Sequence, residues 1–131
     1  MIDHPSTSRW QWRRVQPDEA EDFLRVSLET FHAAFRVAYA AHEADYDTYV
    51  RDTYTLTNIQ SALSDPDQHI YWLITGKDIA GFVRFGANPQ LKCLPQIPLV
   101  EIKRFYMYPG YHGQGGASWL MQQVAQWARD R

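Results

Sequence analysis

An α/β domain built on an α+β mixed sheet is what this sequence predicts, and three observations carry the prediction. Runs alternating large and polar residues interleave with runs whose apolar residues recur at spacings of three and four, in the order β, α, α, β, β, β, α. An apolar strand, Leu99 to Met107, passes through the glycine-rich stretch YPGYHGQGG directly into a helix. With 131 residues, 45% apolar and 21% charged, the chain can bury one core and has the composition of a folded domain rather than a disordered one.

The elements follow in order. Residues 1–9, polar at their start, are expected to be a flexible N-terminal segment. Trp10 to Val15 alternates as a short strand does. Pro17, Asp18 and Glu19 open a helix, since proline and acidic residues favour a first turn. Its stripe, Ala20, Phe23, Leu24, Leu28, Phe31 and Phe35, predicts one buried face. A second helical stretch carries Tyr46, Tyr49 and Val50, and a third, shorter one carries Ile59, Ala62 and Leu63. Asp65-Pro66-Asp67 ends it in a turn. Two strands, His69 to Thr75 and Ile79 to Phe85, read as a hairpin joined through Gly76-Lys77-Asp78. A loop with Asn88-Pro89, Pro95 and Pro98 leads to the strand Leu99 to Met107. The final helix runs from Ala117 to the terminus, with Leu120, Met121, Val124, Trp127 and Ala128 inside.

Composition narrows the function classes. A net charge of -2 gives no electrostatic footprint for nucleic acid. No apolar run approaches the roughly 20 residues of a membrane span, and the polar start lacks a signal peptide's apolar stretch. The single cysteine, Cys93, excludes an internal disulfide and fits a reducing, cytoplasmic setting. Histidines 4, 32, 42, 69 and 112 show no i, i+4 pair, so no metal site is expected. There is no G-x-S-x-G elbow for a serine nucleophile and no P-loop lysine. Gly113-x-Gly115-x-x-Ser118 is not a dinucleotide fingerprint, because no strand with an acidic residue follows it.

The glycines before the last helix hold the chemistry. Strand, glycine loop and helix together present backbone N–H groups as a cup at a helix N-terminus, a ready site for a phosphate-bearing ligand. The stretch His112-Gly113-Gln114-Gly115-Gly116-Ala117, preceded by EIKRFYMYP, resembles motif A of the GCN5-related N-acetyltransferase (GNAT) family: Arg or Gln, two residues, Gly, one residue, Gly or Ala. His112 departs from the pattern at its first position. The resemblance extends over residues 10–131 and implies a GNAT-like acyl-CoA N-acyltransferase fold lacking its C-terminal strands and the family's fourth helix. FHAAF, DYDTYV, LSDPDQHIYWLI and IAGFVRF look closest to members that acetylate polyamine-type small molecules.

That resemblance implies acetyl-CoA as cosubstrate. Its pyrophosphate would lie on the amides of His112, Gly113, Gln114, Gly115, Gly116, Ala117 and Ser118, favoured by the positive end of the helix dipole. Its pantetheine arm would run along the main chain of Phe105, Tyr106 and Met107. Met107 N–H is the expected donor to the oxyanion. Glu101 matches the glutamate that some members use as general base to deprotonate the amine. The other reading of Glu101 is a carboxylate on the solvent side, or one paired with Lys103 or Arg104. Tyr106 and Tyr108 are read as packing residues or lining of the cleft. Phe31, Phe35, Tyr39, His42, Tyr46 and Tyr49 lie where the family builds its acceptor wall, with a helix core as the other account.

Two function classes stay open: an N-acetyltransferase acting on a primary amine of a small molecule or peptide, or a non-catalytic acetyl-CoA- or CoA-binding or protein-interaction module of the same fold. The domain, 10–131, is expected to be truncated after the motif A helix. One edge of the strand Leu99 to Met107 would then be unpaired and the inner face of the last helix, with Leu120, Val124 and Trp127, partly uncovered. A homodimer or other self-association is expected from these two surfaces.

Overall fold

In the computed structural model, which describes residues 8–86 and 100–130, the alternation at the start makes β1 (Trp10–Arg14), with Trp10 buried and Arg13 and Arg14 exposed. The chain then turns through Pro17–Glu19, and the backbone N–H of Gln16 donates to the Glu19 carboxylate at 2.9 Å. Arg13 donates to both oxygens of the same carboxylate, at 2.8 and 2.9 Å. The Arg13 guanidinium holds the Glu19 carboxyl at about 2, aided by the Gln16 amide and opposed by burial.

The helix that follows, α1 (Ala20–Phe35), buries Ala20, Phe23 and Phe31 of the predicted stripe and half-buries Leu24, Leu28 and Phe35. The buried line also takes in Val26, Ser27 and Thr30. Thr30 belongs there because its hydroxyl donates back to the Val26 carbonyl at 2.8 Å, which removes the cost of burying it. Next, α2 (Glu43–Thr53) buries only Tyr46. Thr55 caps α3 (Leu56–Ser64), its hydroxyl accepting from the Asn58 N–H at 3.1 Å, and Ile59 and Ala62 face inward. The Asp65-Pro66-Asp67 turn is closed by the Asp65 carboxylate, which accepts from the Asp67 N–H at 2.9 Å.

The hairpin forms as expected, β2 (Gln68–Thr75) and β3 (Asp78–Gly86), with Thr75 opposite Asp78 across Gly76-Lys77. β4 (Glu101–Met107) lies against β3, and the sheet runs β1-β2-β3-β4, antiparallel throughout. Between β3 and β4 the register shifts: Arg84 opposes Arg104 and Phe85 opposes Ile102, so Lys103 is an extra residue in a bulge.

Helices cover both faces. Phe23, Val26 and Ile59 of α1 and α3 pack on Trp72 and Phe82, with Phe23 edge-on to both rings at 5.6 and 4.8 Å. On the other face α4 (Gly116–Arg129) packs on Trp10, Leu73, Val83 and Phe85. The expectation of an uncovered inner face on this helix is corrected here: Leu120 and Val124 are sealed against the sheet and Trp127 is half-buried, because Trp10 and Leu73 supply the cover. The outer edge of β4 carries no strand among the described residues. Residues 1–7 of the N-terminal segment, and Asn88-Pro89, Cys93, Pro95, Pro98 and Leu99 of the loop, lie outside the described residues. No helix of the described residues is long and apolar enough to cross a membrane.

Candidate functional site

Beyond Met107 the chain stays tied to the sheet for one residue, the Tyr108 N–H donating to the Ala80 carbonyl at 2.9 Å. Pro109–Tyr111 then makes a single turn, and His112 donates its N–H to the Pro109 carbonyl at 3.1 Å. Gly113 and Gly115 follow with φ of +78° and +88°, and a β-carbon on either would meet nothing within 4 Å. Glycine is needed at these two positions for backbone conformation, and the space above them is left open.

Gly115 is the left-handed N-cap of α4, and no side chain caps the helix. First-turn amides without a side-chain acceptor, at the positive end of a helix dipole, suit an anionic group. A cavity of about 460 Å3 lies at this point. It brings together Phe105, Tyr106 and Met107 of β4 with His112, Gly113, Gly115, Gly116, Ala117 and Ser118. Gln114 is not in its lining; its side chain turns back to donate to the Gly110 carbonyl at 2.8 Å. The far wall comes from α1, as Thr30, Ala33 and Ala34. The sequence reading missed these residues, since short side chains outside the apolar stripe carry no periodic signal. The donor set fits a pyrophosphate at the loop and an extended arm along β4.

A second cavity, of about 430 Å3, is walled by rings: Phe31, Phe35, Tyr39, Tyr46, Tyr49 and Tyr106, with Asp45 as its carboxylate. Of the residues expected at an acceptor wall, only His42 is absent from this lining. Phe31 stacks near Tyr46 at 5.7 Å and Tyr49 at 5.6 Å. Tyr46 is further fixed by a 2.6 Å hydrogen bond between its hydroxyl and His32 Nδ1. Burial pushes the Tyr46 and Tyr106 phenols up and the His32 imidazole down, so all three stay neutral near pH 7. Tyr106 lines both cavities and is the residue that joins them. Tyr108 instead donates its hydroxyl to the Glu29 carboxylate, and burial together with that bond pushes its phenol up to about 12.

Glu101 is not brought to either cavity. It is exposed at the start of β4, and its carboxylate accepts from Lys103 Nζ at 3.1 Å. The strand steps between it and Met107 amount to roughly 20 Å at strand rise. This is the paired arrangement that the sequence left open beside the base.

Residues 12–131 match the family model described as the acetyltransferase (GNAT) family. No curated protein matches the chain. Among solved structures it is similar to the PaiA N-acetyltransferase of Thermoplasma acidophilum in complex with coenzyme A, with a TM-score of 0.70 at 15% identity, covering 94% of this chain and 74% of that one. It is similar also to a ribosomal-protein-alanine N-acetyltransferase of Brucella melitensis biovar Abortus 2308, with a TM-score of 0.62 at 16% identity over 93% of this chain and 73% of that one. An aminoglycoside acetyltransferase from an uncultured soil metagenomic sample, in complex with sisomicin, gives 0.66 at 14% identity over 93% and 71%. At such identities the likeness is one of fold, and the family model adds the sequence pattern to it. The chain, glycine loop and cleft included, belongs to the GNAT family of acetyltransferases, whose acetyl donor is acetyl-CoA.

Proposed function

We propose that this protein transfers an acetyl group from acetyl-CoA to a primary amine of a small molecule or peptide, and that the amine reaches the acyl group through the aromatic groove. One observation supports this above the rest: Tyr106 is common to the glycine-loop cavity and to a groove of rings that carries the Asp45 carboxylate. An ammonium is attracted both to aromatic faces and to a carboxylate, so the groove suits a cationic acceptor. In this reading the amides of Gly113 to Ser118 hold the pyrophosphate, the main chain of Phe105 to Met107 orients the arm, and Met107 N–H faces the acyl oxygen. The amine must be neutral to attack. Glu101 is proposed as the base on its position in the motif alone.

The second reading, a CoA-binding module without turnover, is favoured by the placement of Glu101 outside both cavities and its pairing with Lys103. One experiment separates the readings. Acetyl-CoA is titrated while the thermal midpoint is followed, since a ligand of the native state raises it; release of CoA thiol is then measured over a panel of primary amines. A raised midpoint with thiol release supports transfer, a raised midpoint without release supports the binding module, and an unmoved midpoint overturns both. We also propose self-association through the outer edge of β4. Light scattering giving a monodisperse monomer of about 15.3 kDa overturns it.

A further inference from the structure

A third cavity lies on the α1 and α3 face of the sheet, away from the glycine loop, and has a volume of about 360 Å3. Its floor is unusual. Arg84 of β3 and Arg104 of β4 are register partners and both line it, although like charges directly opposed across a sheet destabilise the pairing. Both side chains are only partly exposed. Each has a neutral neighbour: Arg84 Nε donates to Gln68 Oε1 at 2.9 Å, and Arg104 donates to the Tyr54 hydroxyl at 2.6 Å with its guanidinium over the Tyr54 ring. Among the described residues no carboxylate forms an ion pair with either arginine. Asp65 lines the same cavity and acts on Arg84 only through its longer-range charge. Burial and the charge of Arg104 both push the Arg84 guanidinium down.

An independent sign of a ligand comes from α1. Ser27 lines the cavity, is 3% exposed, and its Oγ has no hydrogen-bond partner in the described structure. Buried hydroxyls are nearly always paired, and Thr30, one turn along the same helix, shows the usual solution by bonding back to Val26. Ser27 does not take it. Ser27, with its buried and unpartnered hydroxyl, and the two guanidiniums therefore line one space, and Asp65, the carboxylate in that lining, forms an ion pair with neither arginine.

We propose that this cavity binds a small molecule carrying a carboxylate or phosphate group, which Arg84 and Arg104 clamp and to which Ser27 Oγ donates. Guanidiniums match both anions with paired N–H groups, and such charge-assisted bonds are the strong ones. The site stands apart from the acetyl-transfer reading. It shares no lining residue with the glycine-loop cavity or the aromatic groove, and Tyr54, packed on Phe31 at 5.2 Å, lies between it and the groove.

Calorimetric titration of the full chain with succinate and with inorganic phosphate, at fixed ionic strength, tests the proposal. Each titration is run with and without saturating CoA, which takes phosphate binding at the glycine loop out of the signal. Saturable binding of at least one probe in the presence of CoA is expected; succinate alone marks a carboxylate ligand, phosphate alone a phosphate ligand. Arg84→Gln combined with Arg104→Gln is expected to weaken it about tenfold or more. Circular dichroism establishes that the double variant is folded. Ser27→Ala removes a hydroxyl with no protein partner, so it keeps the fold, and it is expected to weaken the probe several-fold. Absence of saturable binding of both probes overturns the proposal, as does an unchanged dissociation constant in Ser27→Ala and in the folded double variant. Failure of CoA to bind bears on the acetyl-transfer reading alone, because the arginine and serine variants still decide this site.

Discussion

Gly116, the first residue of α4, is packed against the indole of Trp10, the first residue of β1: a β-carbon on Gly116 would stand 2.9 Å from the ring. Trp10 cannot easily yield, being buried, edge-on to Tyr111 at 6.4 Å and covered by the Arg9 guanidinium at 4.7 Å. Gly116→Ala is therefore expected to cost about 1–2 kcal/mol through overpacking, even though alanine is the better helix former. Chemical denaturation checks it, and a variant as stable as the parent would show that the ring gives way.

At the neighbouring position the effect is on binding. Gly115→Asp places a carboxylate beside the proposed pyrophosphate site, and the φ of +88° adds backbone strain. The expected loss of CoA affinity is at least ~2 kcal/mol from repulsion and lost hydrogen bonds. Calorimetry that returns the parent's dissociation constant removes the loop from the site.

Turnover of Glu101→Gln tests the base once an acceptor is known. A base at that position contributes roughly 10²-fold or more, so a loss of that size with acetyl-CoA affinity intact is the outcome the proposal expects. Turnover and pH–rate profile equal to the parent's would assign the carboxylate a structural part, such as its 3.1 Å pairing with Lys103, in place of a catalytic one.

Acid stability depends on Glu19. Its folded carboxyl is held at about 2 by Arg13, below its ordinary value of 4.5, so the charged form is favoured by folding. The stabilisation is present above about 4.5 and fades as pH falls toward about 2. Glu19→Gln is expected to remove about 1 kcal/mol at neutral pH, a figure reduced for the solvent-open Arg13 side, and to flatten the acid limb of stability against pH. Urea midpoints at a series of pH values from 6 downward read both effects; parallel curves for parent and variant would assign the acid limb to other carboxyls.

The hairpin, the stripe on α1 and the glycine loop were legible because each rests on local pattern: alternation, helical spacing, or a motif within a few residues. Arg84 facing Arg104 was not, since strand register is a property of two segments and a bulge decides it. Ser27 and Thr30 were hidden for a related reason. A polar residue inside an apolar face shows only as a gap until its neighbours are known. Thr30, Ala33 and Ala34 entered the cleft by lying across from β4, which no pattern within α1 records. The cover over Leu120 and Val124 likewise comes from Trp10 and Leu73, far away along the chain. Gln114 stands at a position that the motif leaves open, and its side chain is spent on Gly110.

The bulge at Lys103 also fixes how β4 tolerates change in length. Strand side chains alternate between faces, so losing one residue turns everything beyond it over. Lys103 has no partner on β3, while Ile102 and Arg104 on either side of it do. Removing Lys103 would thus leave Phe85 opposite Ile102 and Arg84 opposite Arg104 and straighten the strand between them. Removing Phe105 would instead swing Tyr106 from the aromatic groove toward the layer of α4. One strand therefore has a single place where a residue can be taken out without exchanging its two faces.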